Sequence, residues 1–471
     1  MDPTTTTNRG TASLGGSVTT LSPGLRTLPI IVVPGIMGTR LINARTRRFV
    51  WNPPGTGCPG ISNIDGKFLG RLENEAIPAD AEPPLAPLHP DRPLADQIEG
   101  FYELVTNSYV GMFRELHLRL PAALAPLGYK PKLYGVGYDW RRSNAKSAAR
   151  LSQRVTEIMA ECDGEKPFLI AHSMGGLVTR YFCRNFGGEA KVRAVFLFGS
   201  PTMGSPKAYG LVKSGIPLDV FNDRVMSALR LLLGQFTRKS SMAFCRRLES
   251  LWELMPHPFF LGQVLPRWLQ FDHVHTGYPE HDPIGLLGPT ARPTANPALQ
   301  FSDTNNLLLY FDKYTGLREF FSALPLLNAR LASMFAFHVA TQGVEDPAHV
   351  YLPPETEIFA SNLWPVVSRV NLPFRSAGFS NDETIPPTWV KVRTDPAEMV
   401  HGGGVFPDSF GDGTCPGYSA RVPDHLVEEH VNLRRHKLQG DHEGILAEGA
   451  PLAAQLIVER LTFVGPEGGA R

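Results

Sequence analysis

The stretch Pro167-Phe168-Leu169-Ile170-Ala171 runs directly into His172-Ser173-Met174-Gly175-Gly176, and it constrains the fold more than any other part of the sequence. An apolar run without polar alternation suits a strand buried on both faces, the usual situation in a parallel sheet. Ser173 is flanked two residues away by Ala171 and Gly175, and Leu177 to Asn185 continues as a helix. A strand-to-helix turn of this kind admits only small flanking residues and exposes the serine hydroxyl. It also points the start of the next helix at developing negative charge. The bland reading is a Gly/Ser turn at a helix start, but strand, small residues and helix in that order favour a nucleophile turn.

Similar punctuation occurs elsewhere. Leu28 to Val33 is a buried strand ending in Pro34-Gly35-Ile36-Met37-Gly38, and Lys132 to Val136 runs into Gly137-Tyr138-Asp139-Trp140-Arg141. Val192 to Phe198 ends in Gly199-Ser200-Pro201, with helical spacing after Ile98 to Leu120 and over Asn144 to Glu161. Right-handed crossovers between such strands build a mostly parallel sheet with helices on both faces, and ligands bind at its carboxyl edge. Residues 205–345 break the rhythm with Phe, Leu, Trp and Pro and read as a largely helical cap over that edge. Tyr351 to Asn362 and Phe379 to Val392 read as returning sheet, and Leu438 to Val464 as a loop and the last helix. The expected division is a disordered tail at 1–27, core at 28–204 with a Pro- and Gly-rich lid loop at 52–93, cap at 205–345, core at 346–464, and a tail at 465–471.

Composition removes several alternatives. Lys+Arg 46 against Asp+Glu 45 gives a net charge of +1, which excludes partners held by bulk charge, nucleic acid included. No run is long and apolar enough to span a membrane, and the start has no apolar signal region, so a cytoplasmic location is the default expectation. Five scattered cysteines (Cys58, Cys162, Cys183, Cys245 and Cys415) suggest buried free thiols. Asp272, His273 and His275, with His281 and Asp282 nearby, offer metal-ligand types in loops without a defined ligand spacing. No metal is therefore expected, and no cofactor, since phosphate- and dinucleotide-binding fingerprints are absent.

A serine hydroxyl is a weak nucleophile and needs a base, which in turn needs an orienting carboxylate. On this type of fold they follow the serine as acid and then histidine. His442, in Gly440-Asp441-His442-Glu443-Gly444 ahead of the last helix, fits the base. His425, His430 and His436 fall in a charged stretch read as helix or loop and suit solvated surface positions. Asp412 in Phe410-Gly411-Asp412-Gly413 leaves room for one strand and one crossover before His442; Asp382 is the reserve. Oxyanion donors are expected at the amides of Met174 and Ile36. His401-Gly402-Gly403-Gly404 resembles an esterase oxyanion motif but comes too late in the chain to serve as one.

Taken in order, Val33-Pro34-Gly35-Ile36-Met37-Gly38-Thr39-Arg40-Leu41, Tyr138-Asp139-Trp140-Arg141, Ala171 to Gly176, Phe198 to Ser205, Leu254-Met255-Pro256, Gly411 to Pro416 and His442 resemble the lecithin:cholesterol acyltransferase family of α/β-hydrolases, especially its bacterial lipase- and phospholipase-like members. The resemblance runs from about residue 28 to 460. It implies an α/β-hydrolase fold, catalysis by Ser173, Asp412 and His442, and an oxyanion hole at Ile36 and Met174. It also implies hydrolysis or transfer of fatty acyl esters, to water or an alcohol, at a membrane or lipoprotein-like surface. Trp51, at the root of the lid loop, and Trp140 are the expected substrate contacts. Mammalian members pair cysteines near the lid, whereas Cys58 has no partner before Cys162. A catalytically silent lipid-binding or scaffold protein on the same fold is the rival expectation; it predicts damaged catalytic positions.

Overall fold

The computed structural model describes residues 24–53, 63–73, 76–78, 97–216, 233–256, 269–272, 317–342, 349–376, 392–394, 398–401 and 410–462. Six strands form the central sheet: β1 (Arg26–Val33), β2 (Tyr129–Gly135), β3 (Phe168–His172), β4 (Ala194–Phe198), β5 (Glu355–Ser361) and β6 (Asn432–Leu438). Their spatial order is β6-β5-β4-β3-β1-β2, and every neighbouring pair is parallel. The four inner strands are buried almost throughout, which accounts for the unalternated apolar sequences of β1, β3 and β4.

Side chains alternate between two hydrophobic layers. Ile31, Val33, Leu169, Ala171, Val195 and Leu197 face α2 (Asn144–Glu161) and α3 (Gly175–Asn185) on one side. Ile30, Val32, Phe168, Ile170, Phe196 and Phe198 face α1 (Thr106–Leu124) and α4 (Gly444–Thr462) on the other. Helix α2 spans the residues expected from its periodicity, with Leu151, Val155 and Ile158 buried at helical spacing and the Ser143 hydroxyl accepting from Ala145 N–H as its cap. This is the α/β-hydrolase arrangement anticipated from the sequence.

Two segments differ from expectation. Residues 52–93 are not all loop: Leu41–Asn43, Phe49–Asn52, Asn63–Ile64 and Ala76–Pro78 pair as a small antiparallel sheet beside the carboxyl edge. Strands of two to four residues are too short to show a period. The charged run around His436 is not a helix or a loop but the edge strand β6. Its charges are tolerated because the buried Glu357 on β5 gathers them. Glu357 Oε1 accepts from Arg434 Nε at 2.8 Å and Arg460 Nε at 2.9 Å, and Oε2 meets His436 Nε2 at 2.8 Å.

Within 205–345, the described parts are mostly helical: Pro206–Ser214, Arg238–Arg247, Glu249–Glu253 and Leu317–Gln342. The Glu249–Glu253 turn docks on the start of α2. Glu253 accepts from Ser143 Oγ and Asn144 N–H, each at 2.6 Å, and Glu249 accepts from Ser143 N–H at 2.8 Å. Burial pushes the Glu253 carboxyl up to about 8 despite these bonds. Expected sheet at Phe379 to Val392 lies almost wholly outside the described residues, of which Val392–Thr394 is a strand. Among the described residues no helix is long and apolar enough to cross a membrane.

Burial raises the Glu357 carboxyl, but His436, Arg460 and Arg434 outweigh it and hold the group below the usual value. Its stabilising effect is therefore present above the unfolded-state value near 4.5 and is lost as pH falls. Replacing Glu357 with Gln leaves the partly exposed Arg434 and Arg460 without their anion and should cost about 1.5–3 kcal/mol at pH 7. In chemical denaturation the cost should shrink as pH drops below about 4.5.

Candidate active site

At the end of β3 the chain turns sharply, and Ser173 takes a φ of 52°, in the left-handed region that side chains avoid. Its N–H donates to the Phe198 carbonyl at 2.9 Å, tying the turn to β4. The turn closes because its neighbours lack side chains. A Cβ on Gly35 would stand 2.8 Å from Ser173 Cβ, and one on Gly175 would stand 2.5 Å from the carbonyl oxygens of Val33 and Pro34. Ser173 is 7% exposed, so its hydroxyl lies in a narrow recess at the carboxyl edge of the sheet.

Asp412 and His442 meet at the same edge. His442 Nδ1 lies 2.7 Å from Asp412 Oδ2, while Asp412 Oδ1 accepts from the Thr414 and Cys415 amides at 3.0 and 2.7 Å. Burial raises the Asp412 carboxyl, but His442 and the two amides prevail and hold it below the usual range. An ionised Asp412 therefore accepts a hydrogen bond from His442 Nδ1–H, which leaves Nε2 as the ring nitrogen turned to other partners. The pair sits against Gly199, at a φ of 52°, where a Cβ would be 2.5 Å from Asp412 Oδ2 and 3.2 Å from His442 Nδ1. The loop that carries His442 is pinned as well. Trp364 Nε1 donates to the Gln439 carbonyl at 2.8 Å, and Glu448 accepts from the Gln439 and Gly440 amides.

The loop after β1 is clamped along its length. Tyr138 Oη donates to the Pro34 carbonyl at 2.7 Å, Trp51 Nε1 to Met37 at 2.8 Å, and Trp140 Nε1 to Thr39 at 3.1 Å. Gly35 N–H donates to Tyr109 Oη at 2.9 Å, and Val105 N–H donates to the Gly38 carbonyl at 2.8 Å. None of these bonds uses the Ile36 amide, and the hydrogen bonds around the turn leave the Met174 amide free of them as well. Trp51 is 4% exposed and Trp140 fully buried, their rings edge to face at 5.6 Å. Expected as substrate contacts, both indoles instead brace the loop, because burial withdraws their faces and the N–H groups are committed to its carbonyls.

Ser173, Asp412, His442, Ile36 and Met174, the five residues expected from the sequence, lie at one edge of the sheet. Sequence reasoning missed Tyr109 and the role of His172. Tyr109 Oη lies 3.2 Å from His172 Nδ1, and His172 Nε2 lies 2.8 Å from the His442 carbonyl. Tyr109 carries no motif and looks like one more core position of α1, whereas His172 stands visibly beside the serine. Asp382, His273, His275, His281, Asp282, Gly402 to Gly404 and Cys58 lie outside the described residues. Among the described residues no group of three or more His, Cys, Asp or Glu is placed to hold a metal, and Cys162, Cys183, Cys245 and Cys415 are buried free thiols.

Residues 103–267 match the family model of lecithin:cholesterol acyltransferase, in agreement with the resemblance read from the motifs. No curated protein sequence matches the chain. Among solved structures, the Tle4–Tli4 complex contains a chain that superposes with a TM-score of 0.56 at 17% identity, covering 93% of this chain and 99% of that one. Lesser overlaps are the Bacillus licheniformis lipase BlEst2 (TM-score 0.22, 15% identity, 49% of this chain and 61% of that one) and a cutinase-like protein from Cryptococcus sp. (0.19, 16%, 38% and 56%). The family match supports acyl-ester hydrolysis or transfer as the general chemistry.

Burial, and next the neighbouring His442, lower His172 from 6.5 to about 3, against the raising influence of its bond to the His442 carbonyl and of Asp412. Below about pH 6.5 the unfolded chain takes up a proton that folded His172 refuses, so this residue's contribution to stability falls as pH falls toward 3. The stability difference between the wild type and His172→Gln should therefore narrow by up to about 1.4 kcal/mol per pH unit below 6.5. Urea denaturation at pH 7.5, 6 and 5 measures it; a pH-independent difference would mean that folded His172 binds its proton normally.

Proposed function

We propose that this α/β-hydrolase, with its family match over residues 103–267, is a serine-dependent lipid acyl-ester hydrolase or O-acyltransferase that works through an acyl-enzyme. The observation that carries the reading is the strained Ser173 turn placed at the same sheet edge as the hydrogen-bonded His442–Asp412 pair. A serine in ordinary backbone geometry, or an imidazole without its carboxylate, would support binding alone.

In this mechanism His442 Nε2 accepts the Ser173 proton as Oγ attacks the ester carbonyl. Asp412 holds the Nδ1–H and stabilises the imidazolium that forms. The oxyanion is met by the amides of Ile36 and Met174, and the start of α3 adds its favourable potential. His442 then protonates the departing alcohol. Water or an acceptor alcohol, deprotonated by the same imidazole, releases the acyl group. The substrate class is a long-chain acyl ester presented at a lipid surface. Residues 28–204 and 346–464 act as the catalytic core, and 205–345 as the cap that shelters the acyl chain.

Replacing Ser173 with Ala should lower turnover of a long-chain acyl ester by about 10^4- to 10^6-fold. The circular dichroism spectrum and thermal midpoint should stay close to wild type. Product analysis from a radiolabelled phospholipid, with and without a sterol or long-chain alcohol, separates free fatty acid from a transferred ester. Full turnover in the Ser173→Ala protein would end the proposal.

A further inference from the structure

His172 stands next to the candidate nucleophile, where a second base is conceivable from the sequence alone. Its hydrogen bonds leave it no lone pair for that task. Gly35 N–H donates to Tyr109 Oη at 2.9 Å, so the hydroxyl oxygen is an acceptor there and its own proton is free to point elsewhere. The His442 carbonyl, 2.8 Å from His172 Nε2, can only accept, so Nδ1 of the neutral ring is left to accept that hydroxyl proton at 3.2 Å. The ring proton then sits on Nε2 and is donated to the His442 backbone carbonyl at 2.8 Å. Both ring nitrogens are occupied, and the chain of bonds has one direction: Gly35 amide, Tyr109 hydroxyl, His172 imidazole, His442 carbonyl.

We infer that Tyr109 and His172 form a positioning strut that sets the spacing between the oxyanion loop and the base-bearing loop across the Ser173 turn. The inference rests on the acyl-transfer reading above and adds to it a pair of residues acting through others. The two loops lie far apart in sequence and leave different strands, β1 and β6, which are not neighbours in the sheet. Backbone pairing between those strands therefore does not fix their separation at the carboxyl edge. The strut spans that gap through one donor or acceptor at each joint.

Its surroundings suit a rigid spacer. Tyr109 is 2% exposed and His172 5%. Their rings meet edge to face at 5.8 Å, and the His172 ring lies 4.7 Å from that of His442. A Cβ on Gly38 would stand 2.8 Å from Tyr109 Oη, so the loop is seated directly on the hydroxyl. Burial raises the phenol well above its usual range and lowers the imidazole to about 3, so neither joint gains or loses a proton near neutrality. Removing one joint would leave the Ile36 amide and His442 in place on average but free to drift relative to each other. Such drift weakens transition-state contacts more than ground-state binding.

The test is a double-mutant cycle of Tyr109→Phe and His172→Leu, assayed with a soluble p-nitrophenyl ester, with thermal midpoints measured alongside. Each single variant should lose about 10- to 100-fold in kcat with KM changed less than about twofold. The double variant should be no more than about threefold worse than the poorer single one, because a strut fails as a unit. Inactivation by a phosphonate ester should slow in parallel. Wild-type kcat in a folded Tyr109→Phe protein, losses that multiply in the double variant, or a change confined to KM would each overturn the strut. Nitrogen NMR of the wild type covers the case of variants that do not fold. His172 should be neutral with its proton on Nε2 from pH 5 to 8, and an Nδ1–H form or an imidazolium would overturn the strut. Absence of Ser173-dependent turnover in the wild type is a different outcome, because it would fall on the proposed function itself.

Discussion

A serine held at a φ of 52° has to be accommodated by everything around it, and the carboxyl edge of this protein is arranged about that demand. An L-residue in the left-handed region costs on the order of 1–3 kcal/mol, so the turn persists only where the packing prescribes it. Here the Ser173 amide is taken by the Phe198 carbonyl, Gly35 lies against the serine's own Cβ, and Gly175 passes over the end of β1. Side chains at either glycine would push the strands apart. The strain thus lives in one residue, while three buried parallel strands supply the rigidity that holds it.

From that fixed point outward, the groups proposed to carry acyl transfer come from loops separated by most of the chain. The loop of Ile36 follows β1, Asp412 follows β5, and His442 follows β6. A sheet positions strands well and their trailing loops less well. The loops are therefore secured by specific polar bonds: three indoles, two phenols, a backbone amide before α1, and Glu448 on α4. Aromatic donors suit this use, since each brings a large buried ring with one polar handle and few rotatable bonds.

Much of this was legible in the sequence where burial leaves a simple mark. Strands β1, β3 and β4 show as unalternated β-branched and aromatic runs because both faces are covered, and α2 shows because only one of its faces is. That Ser173, Asp412 and His442 would share one edge was readable from small turn residues and from position relative to the last helix. Direction was not. The Tyr138-Asp139-Trp140-Arg141 motif carries part of the family resemblance, but nothing in its spacing tells whether the indole faces a substrate or the underside of a loop. Strand β6 was illegible for a different reason: its charges make sense only beside Glu357, which lies on another strand of the sheet. Tyr109 was hidden because a tyrosine at a core position of a helix looks the same whether or not its hydroxyl is used.

The central claim is geometric: Ser173, Ile36 N–H and Met174 N–H surround one point at which an ester carbonyl becomes tetrahedral. A crystal structure of the protein inactivated by a long-chain phosphonate ester examines that point directly, because the phosphonyl group keeps the tetrahedral shape and charge of the intermediate. The phosphorus should be bonded to Ser173 Oγ, with one phosphonyl oxygen about 3 Å from both amides and another facing His442 Nε2. An adduct on a different residue, or a phosphonyl group turned away from both amides, would contradict it.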